Sequence, residues 1–285
     1  MIDIIMEMLS FTFLARALVV GLLVSLCAAL LGVSLVLKRY AMISTGLSHV
    51  GFSAMTATMA LGTAPVFGLT IQASPLAVSL VAVIIAAFLL LRLNESSKIK
   101  GDSAVALIST SALAIGVIII ASTTGLNTDV CDAMFGTILA MTRADLHLSI
   151  GLSAAVVVLF VLFYKQLFAV TYDETFAKAT GTRVEVYKSL LALLTAVTVV
   201  LGMRMMGAML IASLTIFPAL SAMRLCKRFL SVVITSAVVA VICFFAGMVV
   251  SYQWALPPGA SVVAVNLVIF ILFSGVAFVR QGGRA

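Results

Sequence analysis

His49 is one of two histidines in a chain of 285 residues, and it stands in a long apolar run. Thr45 lies four positions before it, Ser53 four after, and Thr56 close to one turn beyond that. On a helix these residues form one stripe, since side chains four apart share a face. Ser44 and Ser48 sit on nearby faces. The run begins near Ala41, so His49 lies about 12 Å in at 1.5 Å per residue. Ionisable groups at that depth in a membrane are costly and point to function. Imidazole is the commonest protein ligand for zinc, copper, iron and nickel. Hydroxyls could complete a cation's shell or orient the ring. The plainer reading is a neutral histidine tied to a neighbouring helix by one hydrogen bond.

One chain offers few further donors. A structural zinc site takes four, so a two-fold dimer bringing two His49 rings together is the way to enrich the site. Met203, Met205, Met206 and Met209 also cluster. Thioethers prefer soft metals such as Cu(I), but packing is the commoner role of methionine. Asp129, Asp132 and Asp145, with Asp3 and Glu7, give a modest acidic bias on the expected outer side.

Other chemistries are absent from the sequence. It contains no G-x-x-x-x-G-K-[ST] and no G-x-G-x-x-G, so neither phosphate-binding loop is present and any use of ATP falls to another polypeptide. No H-E-x-x-H occurs, which removes that zinc-protease signature. Gly101-Asp102 is the one Gly-Asp pair, with Ile99 where an intramembrane aspartyl protease has its first glycine. Asp102 reads as a helix cap. Ser48 and His49 are adjacent and point in different directions on a helix, so they make no nucleophile–base pair. The cysteines, Cys27, Cys131, Cys226 and Cys243, are widely spaced with no C-x-x-C, and read as small buried hydrophobes. No basic residue precedes Arg16, so no signal-peptide n-region is expected.

These residues must be positioned by membrane helices. The chain is 64% hydrophobic and 9% charged, against about 25% charged in soluble domains. The expected fold is all-α, a polytopic membrane bundle forming a single domain over residues 1–285. A span takes about 20 apolar residues. Nine are expected, at 13–37, 41–61, 75–93, 104–123, 146–168, 188–203, 205–223, 230–251 and 260–279. Residues 131–142 are apolar but too short to cross, and suit a re-entrant or interfacial helix.

Of the 17 Lys and Arg residues, fourteen fall on one side of these spans and Arg16, Arg143 and Arg204 on the other. The net charge of +7 thus reads as an orientation signal and not as a nucleic-acid surface. The richer side is cytoplasmic, which places the N-terminus outside and the C-terminus inside. Residues 1–12 become an amphipathic lead-in on the outer face, and Trp254 an interfacial anchor. The longest cytoplasmic break, 165–188, contains Asp173-Glu174-Thr175-Phe176-Ala177-Lys178-Ala179-Thr180-Gly181. It predicts a short helix capped by Asp173 and ended by Gly181. Pro218 lies deep in the seventh span, where it can kink the helix.

Six segments in order resemble the membrane-permease subunits of metal-type ABC importers, from about residue 15 to about residue 280. Leu31-Gly32-Val33-Ser34-Leu35-Val36-Leu37-Lys38-Arg39-Tyr40 runs into Gly46-Leu47-Ser48-His49, similar to the family's L-G-x-x-L-V-L-[KR]-[KR] followed by G-D-A-L-S-H. Lys98–Ala104 resembles R-I-K-x-D-A-A, Met134–Leu139 resembles F-G-D-I-L, and Asp173–Gly181 resembles D-x-x-x-A-x-A-x-G. Gly207–Ala219 is similar to V-G-x-L-L-V-x-A-L-x-x-x-P-A, and Leu256–Ala260 to L-P-x-G-A.

The resemblance implies a permease subunit of the bacterial cytoplasmic membrane, not itself an enzyme, moving zinc, manganese, iron or a metal chelate inward by alternating access. It implies a second permease copy, a separate cytoplasmic ABC ATPase and an extracytoplasmic metal-binding protein as partners. The metal is cargo, and no cofactor is held by the chain. Asp173, Glu174, Phe176, Ala177, Ala179 and Gly181 would form the helix that contacts the ATPase. The family's intramembrane ligands are the Asp and His of G-D-A-L-S-H. They map onto Thr45 and His49, so a threonine replaces the acid, and Thr137 likewise replaces the acid of F-G-D. Losing carboxylates weakens the case for a hard ion such as Mn²⁺ and favours zinc, a softer ion or a chelate. The alternative is a secondary cation transporter without an ATPase.

Overall fold

The computed structural model describes residues 12–63, 75–95, 101–122 and 143–282. Every regular element among them is helical: α1 (Thr12–Leu37), α2 (Ile43–Thr63), α3 (Pro75–Glu95), α4 (Gly101–Ser122), α5 (Arg143–Leu162), α6 (Tyr164–Tyr172), α7 (Glu174–Ala179), α8 (Val184–Met206), α9 (Ala208–Leu225), α10 (Phe229–Trp254) and α11 (Pro258–Gly282). Six contain stretches long and apolar enough to cross a membrane: Phe13–Leu37, Ser103–Ser122, Val184–Met203, Ala208–Leu225, Phe229–Trp254 and Pro258–Val279. The second and third expected spans are helices too. α2 is diluted by Ser44, Thr45, Ser48, His49, Ser53, Thr56 and Thr58, while α3 is apolar across its described side chains, Val78–Arg92.

Two expected boundaries move. The run 146–168 is not straight: Leu146–Leu162 and Tyr164–Tyr172 meet at 70°. The break expected at Arg204 lies instead at Gly207, whose φ of 85° is open to glycine and strained for other residues. Ile211 folds back onto Gly202, its Cδ1 2.4 Å from where a Cβ would stand there. In a straight helix residues nine apart are about 13 Å apart, so α8 and α9 turn sharply about one residue. The lead-in 1–11, the re-entrant segment 131–142 and the motif residues 98–100 lie outside the described residues, as do the side chains of Asp102, Asp145 and Met205.

α1 is the hub, with α5, α6, α8, α9 and α10 all packed on it. It can be surrounded because small residues let neighbours approach. Val20, Val24, Ala28, Ala29 and Val33 are fully buried, with Gly21 and Gly32 between and beside them. A Cβ on Gly32 would stand 2.1 Å from the Thr215 carbonyl oxygen of α9, and one on Gly21 would stand 2.1 Å from the Phe244 ring of α10. Without a hydrophobic force between helices in lipid, close contacts at small residues supply the packing energy.

Neighbour contacts fix helix directions. Gly46 faces Val105 while Ser53 reaches Ala112, so α2 and α4 run parallel. Gly21 meets Phe244 while Ser236 bonds the Ala29 carbonyl, so α1 and α10 run antiparallel. Lys38 and Lys188 both meet Glu174, placing the end of α1 and the start of α8 beside α7. One face of the bundle therefore gathers α7, the ends of α1, α3, α5 and α9, and the starts of α2, α4, α8 and α10. Lys38, Arg39, Arg92, Lys165, Lys178, Arg183, Lys188, Arg224, Lys227 and Arg228 all belong to it. Gly207 and Trp254 mark the opposite face.

Gly32→Ala is expected to destabilise the fold by about 1–3 kcal/mol through overpacking against a backbone atom that cannot rotate away. Gly151→Ala is the control, since nothing lies within 4 Å of where a Cβ would stand there. Thermal unfolding in detergent, followed by size-exclusion chromatography, should show a lower midpoint for the first variant and no lowering for the second.

Candidate functional site

α2 presents its polar stripe chiefly to α4. His49 Nδ1 lies 2.6 Å from the Ser109 hydroxyl, and Ser109 is buried. One turn on, the Ser53 hydroxyl bonds the Ala112 carbonyl of α4 and lies 3.0 Å from the His49 carbonyl. Gly116 of α4 packs directly on Phe52 and Ser53. The stripe does not act as one unit. Thr56 bonds back to the Ser53 carbonyl at 2.9 Å, and the half-buried Thr45 hydroxyl makes no hydrogen bond among the described residues. On the other flank, Ser44 meets the Thr215 hydroxyl of α9 at 2.9 Å, and Ser48 donates to the Ser44 carbonyl at 2.8 Å.

The hydrogen bond to a neighbouring helix is thus present, and it occupies only one nitrogen. His49 Nε2 has no protein partner among the described residues. With Nδ1–H donating to Ser109, Nε2 carries the lone pair that a cation would meet. Sequence pattern alone does not distinguish Ser109. Its signal is the triplet Ser109-Thr110-Ser111 in an apolar run; Thr110 and Ser111 bond back to Ala106 and Leu107 of their own helix at 2.7 Å, and Ser109 is the one that reaches across.

The methionines whose side chains are described do not converge. Met203 packs with Phe52, Ile120 and Ala208, Met206 joins the main core beside Gly21, and Met209 is 51% exposed. Cys27 and Cys243 are buried and Cys226 half-buried, as packing residues. Among the described residues no three His, Cys, Asp or Glu side chains gather as a metal cluster. Asp129, Asp132 and Thr137 lie outside them.

The second feature is α7. Asp173 caps it, accepting from the Thr175 and Phe176 amides at 2.9 and 3.0 Å. At the other end Gly181, at φ 81°, completes a Schellman motif: its amide bonds the Lys178 carbonyl at 3.1 Å and the Thr182 amide bonds Ala177 at 3.0 Å. Ala177 is fully buried against Val170, Val184 and Tyr187. Phe176 is 64% exposed and Tyr172 79%. Asp173 and Gly181 are exposed as well.

Glu174 turns inward. Its two carboxylate oxygens meet Lys38 Nζ at 2.9 Å and Lys188 Nζ at 2.7 Å. The lysine side chains are 6% and 12% exposed. Burial pushes the Glu174 carboxyl up, but hydrogen bonds from Lys188 and Lys38 outweigh it and hold it below the usual range. Burial also lowers Lys38, opposed by Glu174. The Asp173 carboxyl is lowered by the Thr175 hydroxyl and the Phe176 amide. Lys178 and Glu185, 3.6 Å apart and both exposed, form a surface pair of little energetic weight. By sequence pattern the two lysines are orientation charges, and the structure adds that they hold Glu174.

A model of the ABC 3 transport family matches residues 10–277. The manganese transport system membrane protein MntC of Halalkalibacterium halodurans is 28% identical over 266 residues, covering 93% of this chain and 88% of that protein. The high-affinity zinc uptake system membrane protein ZnuB of Haemophilus influenzae is 29% identical over 263 residues, covering 92% and 97%. Among solved structures, PsaBC from Streptococcus pneumoniae in complex with Fab superposes with a TM-score of 0.80 at 28% identity, over 96% of this chain and 95% of that one.

The depressed Glu174 carboxyl adds stability above its unfolded value of about 4.3, and this is lost as pH falls through the lower folded value. Amide exchange across Glu174–Ala179 should therefore stay protected from neutral pH down to about pH 5 and rise in stronger acid. Glu174→Gln should reduce that dependence, leaving the part that comes from protonation of the Asp173 cap.

Proposed function

The chain belongs to the ABC 3 transport family, and from that premise we propose that it is the membrane permease of an ABC importer carrying zinc, manganese, iron or a chelate of one of them into the cytoplasm. It is a multi-pass protein of the bacterial inner membrane. The observation that carries the reading is α7: a helix fixed at both ends by its own caps, buried on one side at Ala177, and offering Phe176 outward beside Tyr172 at the end of α6. An aromatic residue held outward on a rigid element is suited to a hydrophobic groove. The partner is an ATPase on a separate polypeptide, since the sequence lacks a phosphate-binding loop.

The α7 face is cytoplasmic in this reading, because the basic residues gather there. α2 and α3 then count as spans, with α5 and α6 as one bent span. This gives nine crossings, the N-terminus outside and the C-terminus inside. The parallel run of α2 and α4 supports it, because the chain must cross back through α3 between them. Two copies form the pathway, and an extracytoplasmic metal-binding protein loads it from the face of Gly207 and Trp254.

His49 contacts the ion through Nε2, with the Thr45 hydroxyl one turn away. One imidazole and a hydroxyl per copy make a loose site, as a release step requires. The missing carboxylate disfavours a hard oxygen-seeking ion relative to zinc. ATP binding draws the two ATPases together, the α7 helices follow, and access to the ion alternates between faces. The chain itself catalyses no bond change.

Proteoliposomes holding this permease, its ATPase and its binding protein test the reading with Zn²⁺ and Mn²⁺. ATP-driven uptake should favour Zn²⁺, and His49→Ala should lower it about 10-fold or more. Uptake unchanged by His49→Ala would leave the ring a structural residue. Uptake that persists without the ATPase but collapses with the proton gradient would point to a secondary transporter.

A further inference from the structure

The inward side of α7 is as specific as its outward side. Glu174 is its first residue, and both oxygens of its carboxylate are taken by lysines from different helices. Exposed ion pairs do little, but here both lysine side chains are largely buried, with the carboxylate 36% exposed between them. Removing the carboxylate from between them would take away the acid held against both, a costly change for charges drawn largely out of water. α7 therefore cannot swing on its own loops while the triad is intact.

Each lysine leads to the His49 helix. Lys38 is the last residue before the turn that starts α2. Arg39 takes a left-handed φ of 61°, the Tyr40 amide bonds back to the Leu35 carbonyl at 2.8 Å, and the Ile43 amide bonds Tyr40 at 3.0 Å. Such a hydrogen-bonded turn leaves no slack between α1 and α2. Lys188 lies in the second turn of α8, which runs to Gly207. There the chain folds back into α9, whose Thr215 touches both Gly32 of α1 and Ser44 of α2.

We propose that Glu174 is a positioning residue for transport: through Lys38 and Lys188 it makes α7 one rigid body with the end of α1 and the start of α8, so that displacement of α7 is delivered to α2. The proposal rests on the reading of α7 as the ATPase-contacting helix. Without the pin, the ATPase still binds α7 and still cycles, but part of its movement is absorbed by the links around Asp173 and Thr182.

The test is made on the assembled permease–ATPase–binding protein complex in proteoliposomes, measuring Zn²⁺ uptake and ATP hydrolysis in the same sample. Glu174→Gln should keep ATP hydrolysis while uptake per ATP falls about 10-fold, within the usual range of inter-site coupling. Lys188→Met should act alike. The double variant should be little worse than either alone, because all three remove one unit. A wild-type ratio of uptake to hydrolysis in Glu174→Gln overturns the proposal, as does a proportional fall in both. If the variant does not assemble, spin labels at Lys178 and Leu37, both exposed, decide the matter in the otherwise intact complex. Their separation should stay constant across the ATP cycle, and a change in it overturns the pin. Wild-type uptake that needs no ATPase removes the underlying function instead, a result separable from all of these.

Discussion

The contact on which the arrangement depends is the approach of α1 to α9 at Gly32. A hydrogen atom in place of a side chain lets the Thr215 backbone lie against α1. That approach puts the Thr215 hydroxyl where Ser44 of α2 can meet it. α2 is rich in hydroxyls and carries an imidazole, and in lipid these need partners. They obtain them from α9 on one flank and α4 on the other. The polar helix is tolerable because α1 is small enough at one residue for α9 to come close.

The same economy appears at the basic end. Charges there are usually read as statements about which side of a membrane a loop occupies. Two of them, Lys38 and Lys188, are instead inside the protein and fixed to Glu174. The family resemblance pointed to Asp173–Gly181 for contact with an ATPase. The geometry adds that this segment looks both ways, with the Phe176 ring outward and the Glu174 carboxylate inward.

What was legible in the sequence was local. Asp173 and Gly181 act through backbone amides and φ angles within their own few residues, so the bounds of α7 could be read from residue types. His49 announced itself because an imidazole deep in an apolar run is costly wherever it has no task. Its partner did not, because Ser109 is 60 residues away and looks like its back-bonded neighbours Thr110 and Ser111. The break falls at Gly207 and not at Arg204, since a glycine's freedom at positive φ ends a helix where a charge need not. The bend at Phe163 had no sequence signal at all: no proline or glycine marks it, and it arises where Tyr164 and Phe168 pack on Phe229 from another helix.

That bend has a mechanical meaning. α6 leaves the axis of α5 at 70°, so its nine residues form a lateral arm about 13 Å long with α7 at the tip. A rotation of about 5° at Phe163 displaces the tip by roughly 1 Å over that length. Thermal jitter at the elbow would therefore be magnified just where fine registration matters. The pair of lysines acts as a brace across the open angle, turning a loose crank into a triangulated strut.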